Sequence, residues 1–284
     1  MRATIRSSAS IRKIAQFVVA LSLLGSPAFT LRAQSWNATL TTAPPGAFPP
    51  LRPVHAIYRF GWSGFTAATA DVHFTRNGGQ SMLAGKVQTV DSVRALWPFE
   101  ADYAAKADAT TLRPVEVKQT ETTRRKNETI ELSFDPAGVT SRRVETKHGK
   151  SETSNKRFDL APLFDLQSAL LYLRSQPLAP GSSYRVVVFP GKDPYLATIN
   201  VIGRERINVA AGSYSAIRME LQLNKVGKQM ELKPHKKFRK AIVWMSDDAD
   251  RMLLRIEAEV FIGTVFAELQ SAQFENAQPA VKRD

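Results

Sequence analysis

The chain has 284 residues, no cysteine, and 39 Lys+Arg against 26 Asp+Glu, a formal charge of +13. The missing cysteine excludes disulfides, thiolate metal centres, cysteine nucleophiles and a lipid-modified cysteine. The roughly 240 residues beyond the N-terminal segment are long enough to bury a core without covalent staples.

Residues 1–33 carry the three parts of an export signal. Arg2, Arg6, Arg12 and Lys13 form a basic start, Ile14 to Leu24 an apolar run, and Gly25-Ser26-Pro27-Ala28 a small-residue exit. The apolar run is short of the roughly 20 residues a bilayer span needs. The pattern predicts a signal peptide over 1–33, cleaved after Ala28 or Ala33. Its product is a periplasmic or otherwise exported protein that is not a lipoprotein. Residues 1–33 hold five basic residues and no acidic one, so the remainder carries 34 basic against 26 acidic residues, or +8. For an exported protein that balance points away from nucleic acid. It points to anionic lipid or envelope polysaccharide, or simply to charge that keeps the protein dispersed.

Residues 34–53 read as a Pro-rich linker, extended and poorly packed, with Pro44, Pro45, Pro49, Pro50 and Pro53 among Thr, Ala and Gly. A β domain is expected over 54–274. Tyr58 to Phe74 ends at the turn signal Asn77-Gly78-Gly79. Met82–Val90, Phe99–Ala107, Val115–Thr122 and Thr129–Phe134 follow as strands. Asp135-Pro136-Ala137-Gly138 then turns the chain into Val139–Thr146, and His148-Gly149 is a further turn candidate. Leu163, Leu166, Leu170 and Leu173 recur at helical spacing, with Asp165 as the N-cap, so one short helix is expected over about 163–176. Tyr184–Phe189, Tyr195–Ile202, Glu205–Val209, Ile217–Leu223, Phe238–Met245, Leu254–Ile262 and Val265–Phe274 return to strands. In Ile217–Leu223, apolar residues alternate with Arg218, Glu220 and Gln222, the pattern of a half-buried strand. A polar, disordered tail is expected over 275–284. Turn signals about every ten residues predict an antiparallel meander of about twelve strands. The fold class is mainly β: a single antiparallel, strongly curved sheet or incomplete barrel with one helix over an opening.

Little in the sequence speaks of catalysis. His55, His73, His148 and His235 lie in separate segments without ligand spacing, so no metal or cofactor is implied. Gly61-Trp62-Ser63-Gly64 lacks the following helix of a nucleophile elbow. Asp247, Asp248 and Asp250 could hold calcium, but they suit a hairpin tip better. The run from Lys225 to Lys240 is unusually basic, with Glu231 its lone acid. Lys233, Lys236 and Lys237 are its candidate ligand-binding residues, for anionic lipid or polysaccharide. Trp62 and Trp97 belong to an aromatic set, with Tyr58, Phe60, Phe65 and Phe99, that either fills a core or lines a cleft for an apolar ligand.

Three stretches resemble the DUF3108 family of exported bacterial proteins of unknown function. They are Ile57–Trp62 with Gly64, Asp165–Arg174, and Val243–Asp248 continuing to Gly263 and Leu269; Ile207–Arg218 also fits. The resemblance covers roughly 54–274 and implies export and a mostly antiparallel β fold. It implies no activity and no catalytic residues. Two readings of function stand. One is a non-catalytic envelope protein whose curved sheet binds a lipid, a glycan or an envelope protein partner. The other is an envelope-polymer hydrolase that uses two carboxylates brought together by folding.

Overall fold

The first strands show how the chain builds its sheet. β1 (Val54–Trp62) and β2 (Phe65–Asn77) pair directly, Val54 against Phe74 and Trp62 against Phe65. Between them stand only Ser63 and Gly64, both at positive φ, which the tight turn requires. The stretch expected as one strand is therefore a hairpin. Along β2, Ala68, Ala70 and Phe74 are buried while Thr69, Asp71 and His73 face outward, the period-two alternation of a sheet with one wet face.

The computed structural model describes residues 35–234, 240–260 and 263–275. The expected signal peptide, Lys236, Lys237, His235 and the tail beyond Glu275 lie outside the described residues. Met1–Ser35 and Trp36–Asp284 are separate units, and the sheet architecture belongs to the second.

The chain continues through β3 (Gln80–Thr89), α1 (Asp91–Leu96), β4 (Phe99–Asp108), β5 (Pro114–Thr123), β6 (Lys126–Asp135), β7 (Gly138–Lys147) and β8 (Lys150–Asp159). Then come β9 (Leu163–Phe164), α2 (Leu166–Ser175), β10 (Ser183–Val188), β11 (Tyr195–Val209), β12 (Gly212–Val226) and β13 (Leu232–Pro234). β14 (Ala241–Ser246), β15 (Leu253–Val260) and β16 (Gly263–Phe274) complete it. All sixteen strands join one sheet, in the order β8-β7-β6-β5-β4-β3-β2-β1-β16-β15-β14-β12-β11-β10-β9, with β13 added beside β12. Neighbours are antiparallel except β9 on β10. The fold is one large, open, strongly curved sheet.

The sheet curls until its two ends meet through side chains. Val117, Ile130, Leu132 and Val139 of β5–β7 pack in one buried cluster with Leu163, Val187, Phe189 and Leu196 of β9–β11. The Phe158 and Phe189 rings lie 6.2 Å apart in that cluster. Glu128 of β6 is fully buried and meets Lys192 from the β10–β11 loop at 2.9 Å and Lys126 at 2.8 Å, with Arg143 also bound to it. Ser141 Oγ on β7 donates to the Gly191 carbonyl at 3.1 Å.

α2 fills the remaining interior. Asp165 caps it, accepting from the backbone N–H of Gln167 and Ser168, while Ser168 Oγ accepts from the Asp165 N–H. Tyr103 of β4 donates to Asp165 Oδ2 at 2.7 Å, so the cap is tied to the opposite wall. Leu171 and Tyr172 enter two different buried clusters, a position for a plug rather than a lid. The expected leucine stripe is shifted. Leu163 belongs to β9 and Leu166 is exposed.

Three further differences from the sequence reading have local causes. α1 is a six-residue turn of helix, below the length at which periodicity speaks. β8, Lys-Ser-Glu-Thr-Ser-Asn-Lys-Arg-Phe-Asp, is exposed almost throughout, so it has no apolar face to betray it. As an edge strand it gains from that polarity, which discourages pairing with other chains. Of residues 34–53, expected to pack poorly, the described 35–53 instead form a strap. The Ala43 carbonyl accepts from Tyr172 Oη at 2.8 Å, Gly46 N donates to Ser175 Oγ at 3.0 Å, and the Pro49 carbonyl accepts from Arg174 at 2.7 Å. Phe48 lies between Arg174 and Arg251, with the Arg251 guanidinium 3.5 Å from its ring centre. Proline stiffness lowers the cost of laying such a strap down.

Glu128 makes the closure testable. Burial pushes its carboxyl up, but Lys126, Lys192 and Arg143 outweigh that and hold it down at about 2, against an ordinary 4.5. A folded-state pKa below the unfolded one stabilises fully above pH 4.5 and is lost as pH falls toward 2. Glu128→Gln should cost about 2–3 kcal/mol at neutral pH, since it leaves cations facing a buried neutral amide. It should also flatten the fall in thermal midpoint over that acid window, measured by calorimetry.

Candidate functional site

Turn chemistry differs at the two ends of the sheet. At one end lie the turns β2–β3, β4–β5, β6–β7 and β14–β15, and aspartates build three of them. Asp108 Oδ1 accepts from the Thr110 and Thr111 N–H groups. Asp135 Oδ1 accepts from Ala137 and Gly138. Asp248 Oδ1 accepts from Asp250 and Arg251. A short carboxylate that reaches its own backbone two or three residues on is the reason aspartate favours such positions. Asp247 and Asp250 are paired with Arg204 and Arg52. The three-aspartate stretch thus serves its own turn.

The other end of the sheet carries the turns β1–β2, β3–β4, β5–β6, β7–β8 and β10–β11, together with the β12–β14 connection. There the side chains are basic and aromatic. Trp62 and Phe65 flank the β1–β2 turn, and Leu96 and Trp97 follow α1; they are 45%, 56%, 82% and 61% exposed. These are not frayed ends. Gly61 lets the Phe266 ring lie against the β1 backbone, where an added Cβ would come within 2.5 Å of it. Buried Thr89 accepts at Oγ1 from the Phe99 N–H at 3.1 Å and donates to the Trp97 carbonyl at 3.2 Å. The backbone is held while the apolar side chains stand in water. Arg124, exposed at the β5–β6 turn, donates to the Ala95 carbonyl of α1 at 3.1 Å, which places a guanidinium beside Leu96 and Trp97. Arg125 and Lys150 are exposed on the next turns of the same rim, and Lys147 beside them pairs with Glu145.

Sequence-predicted residues divide accordingly. Trp62, Trp97 and Lys233 share this rim, at separate turns. Lys233 pairs with Glu231 at 2.8 Å and lies in β13, so its charge is already met. Lys225 and Lys240 pair with Asp193 and Glu220. The described part of the basic run is therefore an ion-paired extension of the sheet rather than an open basic loop. Trp62 and Trp97 line neither a core nor a cleft. A hollow of about 270 Å³ sits under the strap beside Phe48, Phe74, Leu171 and Arg174. Sequence reasoning passes over Phe65 as an exposed anchor, and it passes over Leu96, Arg124 and Arg125. Consecutive arginines in a turn are the available signal. Ser63 sits in the tight turn itself, with its N–H given to the Thr264 carbonyl.

The family's sequence profile matches residues 56–270, under the description protein of unknown function, DUF3108. The chain belongs to the DUF3108 family. No curated protein matches its sequence. Among solved structures, this DUF3108 chain is similar to a beta-barrel-like protein of the domain of unknown function DUF1849 from Brucella abortus. Identity is 10% and the TM-score 0.56, over 80% of this chain and 99% of that one. The likeness shows a shared fold. A Bacteroides fragilis protein with a YmcC-like fold is 7% identical over 80% of this chain and 98% of that one; at a TM-score of 0.35 the likeness is too slight to bear on the fold.

The exposure of the rim is measurable. Of the four tryptophans, Trp244 is buried and donates to Glu205 at 2.7 Å. In single-tryptophan variants, acrylamide should quench Trp62 and Trp97 emission several-fold more steeply than Trp244 emission. Comparable quenching at all three positions would contradict the arrangement.

Proposed function

We propose that this DUF3108 protein is a non-catalytic envelope protein that docks on an anionic lipid surface through its basic, aromatic rim. The observation that carries the reading is the fixed display of Trp62, Phe65, Leu96 and Trp97 on the strand end that also exposes Arg124, Arg125 and Lys150. Tryptophan gains most at the interface between headgroup and acyl chain, where its ring is buried and its N–H stays wet. Each Lys or Arg held near an anionic surface adds about 1 kcal/mol. Large apolar side chains exposed together on one strand end mark an interaction site. The export signal read at residues 1–33 supports an envelope address.

One observation argues against the hydrolase reading. Every described carboxylate with a displaced titration is displaced downward. Among them are Glu100, Asp108, Asp135 and Glu268, each held ionised by arginines or backbone N–H groups. A general acid needs the opposite, a carboxyl kept protonated near neutrality.

Co-sedimentation with vesicles tests the proposal. The mature protein should bind phosphatidylglycerol-containing vesicles and not pure phosphatidylcholine. Arg124→Glu/Arg125→Glu should weaken binding on the order of tenfold or more and reduce its salt dependence. Trp62→Ala/Trp97→Ala should weaken it without changing the salt dependence. Equal binding to neutral and anionic vesicles, or variants that bind like the wild type, would sink the lipid reading. Binding to anionic envelope polysaccharide instead of vesicles would redirect it.

A further inference from the structure

The outward face of the β1–β2 hairpin carries a second cluster, far along the strands from the rim. His55 on β1 stands directly opposite His73 on β2, and Asp71, two residues before His73, shares their face. The two imidazoles stack with centroids 4.1 Å apart and planes within 7°. Both Nε2 atoms lie close to one oxygen, Asp71 Oδ1, at 3.0 Å from His55, which is hydrogen-bonded to it, and 2.9 Å from His73. All three donor atoms lie within 4.8 Å of one another.

We infer that His55, Asp71 and His73 form a binding site for a borderline divalent transition metal, with Zn²⁺ or Cu²⁺ as its natural class of ligand. Two imidazoles and one carboxylate are donors of intermediate softness, which favours these ions over Ca²⁺ or Mg²⁺. Metal–nitrogen and metal–oxygen bonds of about 2.0–2.2 Å put adjacent tetrahedral ligands roughly 3.3 Å apart. The observed 2.9 and 3.0 Å are within a few tenths of an ångström of that, and the stacked rings must tilt apart for both Nε2 lone pairs to converge on the ion. The backbone itself is preorganised, since the donors sit on paired strands rather than on a loop. The three side chains are about one-third to three-fifths exposed, so an ion enters without opening the fold. Binding is balanced by tautomer exchange: each imidazole gives its Nε2 lone pair to the ion and carries its proton on Nδ1.

Three protein ligands leave one coordination position open, as in exchangeable rather than closed structural sites. Beside it runs a shallow outer groove of about 690 Å³ floored by Ala84, Gly85 and Ala104 and edged by Lys86, Asp102 and Lys118. Lys86 is the β3 partner of Asp71, and its charge opposes that of the ion. The site therefore has the affinity of an open surface chelate rather than that of a buried centre.

Isothermal titration of the untagged mature protein with Zn²⁺ tests this, with visible absorption of the Co²⁺-loaded protein as a second readout. One equivalent per chain is expected. His55→Gln, His73→Gln and Asp71→Asn should each weaken it at least tenfold and abolish the Co²⁺ band, while His148→Gln leaves both unchanged. These positions are outward-facing, and circular dichroism verifies that each variant is folded. A wild type that takes up no Zn²⁺ at millimolar concentration, or a His55→Gln/His73→Gln variant that binds like the wild type, would overturn the assignment.

Discussion

A curved sheet that does not close its backbone ladder must still shut out water where its two ends meet, and in this protein side chains alone do it. β5–β7 come from one end of the strand order and β9–β11 from the other. The apolar cluster between them supplies the attraction, and Glu128 supplies the registration. A fully buried carboxylate is costly unless its charge is met. Lys126, Lys192 and Arg143 meet it, and Lys192 arrives from the far end of the sheet. The Ser141 hydroxyl on the Gly191 carbonyl and Tyr103 on Asp165 add hydrogen bonds across the same gap. The rest follows from this closure. α2 packs into the interior through Leu171 and Tyr172, and the strap is laid over that helix.

The exposed features of the protein lie on its strand ends and on the outward face of the sheet. Aspartates that hydrogen-bond their own backbone shape three turns at one strand end, and Arg124, Arg125 and Lys150 stand exposed on turns at the other. The exposed Trp62, Phe65, Leu96 and Trp97 are different. They cost solubility, and fixed backbone around Gly61 and Thr89 holds them in place. That combination argues for a docking role. The His55–Asp71–His73 cluster lies apart from it, on the outward face of the hairpin.

Most of the strands are legible in the sequence because one face is buried and the other wet, as Ile217–Leu223 illustrates. β8 is not legible, since an exposed edge strand has no such contrast. The β1–β2 hairpin reads as one strand because Ser63-Gly64 interrupts it so briefly. Residues 34–53 read as a loose linker because composition reports stiffness and polarity but not whether a helix waits beneath. At the candidate site, Trp62 and Trp97 are legible as unusual residues, but their exposure is not. Lys233 draws attention by its neighbours' charge, and only the β12–β13 pairing shows that Glu231 already takes it up.

By itself the sequence determined what short-range chemistry determines: the strand-forming segments, the aspartate turns, the Asp165 cap, the absence of thiol chemistry and the sign of the net charge. These depend on residues a few positions apart. The tertiary structure alone decided which carboxylate would be buried, which aromatics would face water, and that His55 and His73 would stand side by side. Those outcomes depend on strand register and on the curl of the sheet, which join residues far apart in the chain and leave no local trace in it.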